Sequence, residues 1–355
     1  MNTASLESFK KEINQVREYF KHIEYVNDLV VSSLSQIDNE QIKALLNTLK
    51  DHHRSFGTAQ RIFEYKASII SLYGLLEKYI EIWIKEYLDS LSSLVIEYSQ
   101  IDEKIRNNHF ELSLKLISTI TSRESAKYQH LTKEQVLKKL NECIVNPTSY
   151  KFNTEAFVLS SGNLKHKQIV KLFELINVSL NEVLKKNQTL IEYIRNDKQI
   201  KNIANVNTDS LYNRINDLVE RRNEIAHGSE ILDILSISGL EPYLEFLEKY
   251  CQAIFETLIE ELIKQESMYT FQKIGKGFQI FANKILAFEI ENYRIKVGDI
   301  LIIETAEGNF YKKPILTIQL DKVSHTEIMI TEKTKIAVSV EPKIKENQTF
   351  YVLKQ

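Results

Sequence analysis

One octapeptide concentrates residue types that move protons and hold phosphates: Arg221-Arg222-Asn223-Glu224-Ile225-Ala226-His227-Gly228. A histidine titrates near neutrality, which suits general acid–base work. An arginine fork suits a phosphate whose negative charge builds in a transition state. The spacing predicts a helix from Asp209 to His227, with Asp209 or Ser210 as N-cap and Gly228 as its stop. Leu211, Ile215 and Leu218 form its apolar stripe, and one more step of four lands on Arg222. An arginine there is costly to bury unless it is paired or used. Asn223 and His227 share a polar face with Asn213, Asn216 and Glu220. Arg222 and His227, however, lie about 140° apart on an ideal helix, so joint action requires fraying at Gly228 or a second copy of the chain. A plainer reading also stands on spacing alone. Arg221, Arg222 and His227 near a helix C-terminus would each favour its dipole by about 0.3–1 kcal/mol.

Other chemical motifs are absent from the sequence. Gly275-Lys276-Gly277 lacks the third glycine and the βαβ setting of a dinucleotide fingerprint, and there is no Walker A loop, HExxH pair, nucleophile elbow or CxxC. His22, His52, His53, His109, His130, His166 and His325 have no ligand-like spacing and read as ordinary surface or packing residues. Cys143 and Cys251 are too few and too far apart for a disulfide framework or zinc site, which points to a reducing compartment. No cofactor or metal is expected.

The elements that must position the octapeptide are helices. The 355 residues contain only 9 Gly and 4 Pro, about a third of average usage, and residues 1–220 hold just Gly57, Gly74, Gly162 and Pro147. Such a stretch excludes a sandwich, a barrel or a many-turned α/β enzyme. A net charge of −2 excludes a polycation that coats nucleic acid indiscriminately. The N-terminus lacks the apolar core of a signal peptide, and no run of about 18 apolar residues would span a membrane. A cytoplasmic protein is expected.

Residues 1–55 read as a helical segment with Leu6, Phe9, Ile13, Val16, Phe20, Ile23 and Val26 on one stripe, packing on the rest of the chain or on a second copy. A helical domain follows over 56–268. Its longest helix is expected from Arg61 to Tyr98, apolar on more than one face through Phe63, Ala67, Ile70, Leu72, Leu75, Leu76, Tyr79, Trp83 and Leu88. Gly74 within it suggests a close helix contact. Further helices are expected over Leu131–Ile144, Lys165–Glu174 and from Leu240-Glu241-Pro242 to about residue 266, with a turn at Ser161-Gly162-Asn163. Beyond residue 270 the apolar period falls to two, as in Tyr293–Val297 and Ile336–Val340, with turns at Gly298-Asp299 and Glu307-Gly308-Asn309. Five or six short strands over 271–355 predict a small β-barrel, which would leave no edges to protect. The predicted fold class is therefore mainly α, followed by a C-terminal all-β domain.

Arg222-Asn223-Glu224-Ile225-Ala226-His227 resembles the R-x4–6-H motif of HEPN domains, in the variant with Asn after Arg and Gly after His. Ile69-Ile70-Ser71-Leu72-Tyr73-Gly74-Leu75-Leu76-Glu77-Lys78-Tyr79 is similar to the first HEPN helix, including its acidic residue, Glu77. Gly162-Asn163-Leu164-Lys165-His166-Lys167-Gln168-Ile169-Val170 resembles the segment found midway in the RiboL-PSP-HEPN branch. These matches stand in family order. The resemblance implies a dimeric helical bundle whose two motifs face each other, and often a metal-independent endoribonuclease. It assigns His227 to proton transfer, Arg222 to the phosphate and Asn223 to orientation, with Glu77 and Arg221 in support. HEPN toxins silenced by nucleotidyl transfer carry a tyrosine two residues after the histidine; Ser229 stands there instead.

Ile295–Ile302, Ile315–Leu320, Lys335–Val338 and Phe350-Tyr351 resemble the second, β-barrel domain of translation elongation factors, though Lys333-Thr334 replace the usual glycine. The expected function is a toxin or anti-phage endoribonuclease acting on tRNA or another translation RNA, with an antitoxin or trigger as a further partner. The alternative is a non-catalytic dimeric adaptor or RNA-binding module whose barrel binds a protein.

Overall fold

Apolar residues at helical spacing build ten α-helices among the described residues, and period-two runs then build eleven strands. The computed structural model describes residues 1–31, 39–122, 126–159, 162–200, 203, 206–228, 233–275 and 279–354. The helices are α1 (Ala4–Val31), α2 (Glu40–Leu94), α3 (Glu103–Ser122), α4 (Lys133–Val145), α5 (His166–Leu175), α6 (Leu180–Leu184), α7 (Gln188–Lys198), α8 (Thr208–Leu211), α9 (Asn213–Ala226) and α10 (Ile237–Tyr269). The fold is mainly α with a C-terminal all-β region of antiparallel sheets, as the sequence predicts.

The chain divides into two units. The first comprises Met1–Glu86, Asp102–Leu140 and Asn153–Glu256. Within it α1 lays Phe9, Ile13, Phe20 and Ile23 onto the protein core. Phe9 meets Tyr79 and Trp83 edge-on, at 5.1 and 5.6 Å between ring centroids, and Trp83 meets Phe255 at 5.5 Å. The indole N–H of Trp83 donates to Ser5 Oγ at 3.2 Å, so the buried ring keeps its polar group satisfied.

Several elements depart from expectation. The helix α2 starts well before Arg61, and Phe63 and Ile70 on it are exposed rather than buried. Gly74 has open space where a Cβ would stand, so no close contact requires it. Residues 101–165 contain α3, whose inward face carries Ile105 and Leu116 but is interrupted by His109 and Ser113. The helix predicted from Asp209 to His227 is two helices, broken at Tyr212, and its N-cap is Asn207, whose side chain accepts from the Asp209 N–H at 3.0 Å. Pro242 sits inside α10 instead of opening it, because Ser236 already provides an N-terminal cap through Gly239 N at 3.2 Å.

The second unit comprises Tyr87–Ile101, Asn141–Phe152 and Thr257–Gln355. Its strands are β1 (Phe271–Gly275), β2 (Gln279–Phe281), β3 (Ile285–Ile290), β4 (Tyr293–Lys296), β5 (Ile300–Glu304), β6 (Phe310–Pro314), β7 (Thr317–Leu320), β8 (Val323–His325), β9 (Glu327–Ile330), β10 (Thr334–Ser339) and β11 (Thr349–Leu353). They form sheets ordered β1-β11-β5-β6, β2-β3-β10-β7-β8 and β4-β9. The registers place Leu286, Phe288, Ile318, Ile336 and Val338 in one core with Ile295, Leu301, Ile303 and Phe350. Gly298 and Gly308, both at positive φ, make the predicted turns.

Candidate active site

The apolar stripe of α9 buries Ile215, Leu218 and Val219 and then delivers a half-buried Arg222 to the face of α2. Its guanidinium lies 4.4 Å from the centroid of the Tyr73 ring, a cation–π contact that partly offsets the cost of burial. Arg222 Nη1 also donates to Asn223 Oδ1 at 3.0 Å, and Asn223 Nδ2 donates to Asn163 Oδ1 at 3.0 Å. Asn163 N and Leu164 N donate in turn to the Tyr73 hydroxyl at 3.0 and 3.4 Å. The sequence segments around Tyr73, Asn163 and Arg222 thus converge on one surface.

Glu77, one turn along α2 from Tyr73, is half-buried. Burial raises its pKa, Glu81 adds to the rise, and the positive charges of Lys127 and Arg222 oppose it. The result is a carboxyl group held close to Arg222 with a weakened hold on its negative charge. Lys127 forms an ion pair with Glu81.

His227 stands at the C-terminal cap of α9, exposed, with φ −86° and ψ 0°. Its backbone N–H donates to Asn223 O at 2.9 Å, and Gly228 follows at φ +68°, donating to Ile225 O at 3.3 Å. Gly228 therefore ends the helix as predicted, through the left-handed geometry that glycine adopts without strain. The His227 ring is exposed and makes no hydrogen bond among the described residues. Ser229 lies outside the described residues, as does Ser161 of the expected turn.

Arg221 has a different environment from its neighbour. Nε donates to Asp217 at 2.7 Å, Nη1 to Tyr65 Oη at 2.9 Å and to Asp233 O at 3.0 Å, and Nη2 to Asp233 Oδ2 at 2.7 Å. Burial works against its charge, but Asp233, Tyr65 and Asp217 hold its pKa above the ordinary arginine value. These contacts tie α9 to α2 and to the chain leading into α10.

Tyr73 and Asn163 lie inside the segments that resemble the family, and neither has a task assigned by its sequence position. The one local signal was an asparagine after glycine in a turn, since Asn tolerates the left-handed backbone that Asn163 adopts at φ 60°. His166 proves to be a packing residue: it is stacked on Tyr212 at 3.8 Å, with Tyr250 Oη and Asn181 Oδ1 each 2.8 Å from its ring nitrogens.

The model of the RiboL-PSP-HEPN family matches residues 37–260. The chain belongs to that family. HEPN domains commonly bind RNA and dimerise, and many are ribonucleases. In this HEPN chain, Tyr73, Glu77, Asn163, Arg222, Asn223 and His227 all fall within the matched residues. None of the curated proteins matches it. Among solved structures, GDP-bound aIF5B from Aeropyrum pernix is 11% identical, with a TM-score of 0.19, over 40% of this chain and 29% of that chain. A flavohemoglobin from Malassezia yamatoensis with bound FAD and heme is 9% identical, with a TM-score of 0.15, over 76% and 63%. Both scores are too low to carry a likeness of fold. Among the described residues, no helix is long and apolar enough to cross a membrane.

Proposed function

We propose that this HEPN chain is an endoribonuclease whose reaction starts from the RNA's own 2′-hydroxyl. The observation that carries the reading is a half-buried Arg222 held on Tyr73 and Asn223, five positions before an exposed His227. Arg222 binds the scissile phosphate and meets the charge that grows on its oxygens. His227 takes the 2′-hydroxyl proton as the 2′-oxygen–phosphorus bond forms. The phosphorus–5′-oxygen bond breaks, and the 5′-oxygen leaves as a hydroxyl by taking a proton from water, to which His227 later returns the proton it removed. The products are a 2′,3′-cyclic phosphate and a 5′-hydroxyl. Asn223 orients Arg222, while Glu77 supports it as a neighbouring carboxyl group and Arg221 braces the helix that carries it.

Arg222 packs toward α2 whereas His227 lies exposed at the helix end, so the reading pairs Arg222 of one protomer with the histidine of a second copy. The substrate class is tRNA or another translation RNA, and the biological setting is a toxin or anti-phage effector in the cytoplasm. The C-terminal β-domain, read as a barrel resembling elongation factor domain 2, recruits the substrate or a trigger. The test is cleavage of total RNA by purified protein in EDTA, with end-group analysis. Cyclic phosphate ends that disappear in His227→Ala support the enzyme. An absence of cleavage under every condition supports instead a non-catalytic adaptor.

A further inference from the structure

We infer that Tyr73 and Asn163 are positioning residues that set the Arg222 guanidinium for its phosphate, an inference that rests on the ribonuclease reading. Four residues from three separate segments close a ring. Arg222 sits on the Tyr73 ring, Tyr73 Oη accepts from Asn163 N, Asn163 Oδ1 accepts from Asn223 Nδ2, and Asn223 Oδ1 accepts from Arg222 Nη1. The hydrogen bonds run in one direction. Asn163 Oδ1 can only accept, so it turns the Asn223 amide nitrogen toward itself and leaves the Asn223 oxygen for arginine. Reversing either amide would set two donors or two acceptors against each other.

The anchor of the ring is rigid. Tyr73 is 2% exposed, so core packing fixes the plane on which the guanidinium lies. Its hydroxyl then holds the backbone of the Asn163 turn through two N–H groups rather than one. Asn163 adopts φ 60°, a region open to few residues besides Gly, Asn and Asp. That geometry is kept while the side chain reaches α9. Packing on a ring face uses no donor, and Asn223 uses one of the five that an arginine carries. Among the described residues the remainder have no other partner and can meet phosphate oxygens.

Tyr73→Phe keeps the ring under Arg222 but removes the acceptor for the turn. Asn163→Gly keeps the left-handed backbone but removes the acceptor for Asn223. Both variants should lower kcat for RNA cleavage about tenfold while KM stays within about twofold, because bound RNA meets a misplaced fork. Thermal melting of Asn163→Gly should match the wild type, since the residue is exposed. An arm independent of cleavage is the ring-current-shifted side-chain NMR signal of Arg222, assigned by its loss in Arg222→Ala. It should move toward the random-coil position in both variants. If the signal stays in place in both, or if kcat is unchanged in both while wild type cleaves RNA, the inference is wrong. If the signal moves as expected but wild type cleaves no RNA, the positioning stands and the ribonuclease reading fails.

Discussion

The Arg222 guanidinium lies 4.4 Å from the centre of the Tyr73 ring, joining a residue of α9 to one about 150 positions earlier in α2. That placement reconciles an arginine on an apolar stripe with the cost of burying it. A flat cation on a ring face is partly desolvated yet electrostatically satisfied. Arg222→Lys tests the shape requirement. Lysine keeps the charge but loses the planar fork, so kcat/KM on RNA should fall at least about tenfold. An unchanged kcat/KM would show that charge alone suffices.

His227→Ala should abolish most cleavage, by about 10²–10⁴-fold, the usual contribution of a positioned acid or base. Stability should change little, because the ring is exposed and makes no hydrogen bond among the described residues. Parallel urea titration and RNA cleavage separate the two effects.

Arg221→Ala should do the opposite. It removes four hydrogen bonds to Asp217, Tyr65 and Asp233 from a side chain that is 13% exposed. A loss of about 2 kcal/mol is expected, because the charge-assisted hydrogen bonds of a largely buried guanidinium are removed together. Cleavage per folded molecule should remain near wild type. A large loss of kcat without destabilisation would place Arg221 on the substrate instead.

Two buried histidines make the helical unit acid-sensitive. Burial lowers the pKa of His109 from 6.5 to about 4, with Lys139 adding to the effect. Burial likewise lowers His166 to about 4, against the Asn181 hydrogen bond and the charge of Asp209, with Lys185 helping. Below pH 6.5 the unfolded chain binds protons that the folded chain refuses. Their stabilisation is therefore complete above about pH 6.5 and is lost as pH falls toward 4. At pH 5 the loss should be about 2 kcal/mol per histidine, read from urea titrations at pH 7 and 5. His166→Gln should remove about half of that dependence.

Phe9→Ala should cost about 3–5 kcal/mol by opening a cavity among Tyr79 and Trp83. Trp83 is the only tryptophan, so its fluorescence reports this packing directly. A midpoint shift below what 1 kcal/mol would give, with unaltered emission, would mean that α1 is not docked there.

Much of the molecule was readable in the chain because the signals are local. The α1 stripe, the stop at Gly228 and the change of period near residue 270 each depend on neighbours within a few positions. The missed elements lack such signals. In α3 the inward positions include His109 and Ser113, which satisfy their polar atoms against Asn153 from a distant segment. At Tyr212 the predicted helix breaks although its apolar spacing runs on, and Tyr212 there stacks on His166 from a distant segment.

The sequence by itself determined the helical class, the order of the motif segments, and the candidates Arg222, Asn223, His227, Glu77 and Arg221. Only the tertiary structure separated the two adjacent arginines. Arg221 is spent on Asp217, Tyr65 and Asp233, while Arg222 rests on Tyr73 and, among the described residues, donates only to Asn223. The reason is physical. A one-residue step turns a helix by about 100°, so neighbours of identical type face different surroundings, and those surroundings come from segments that no local pattern encodes.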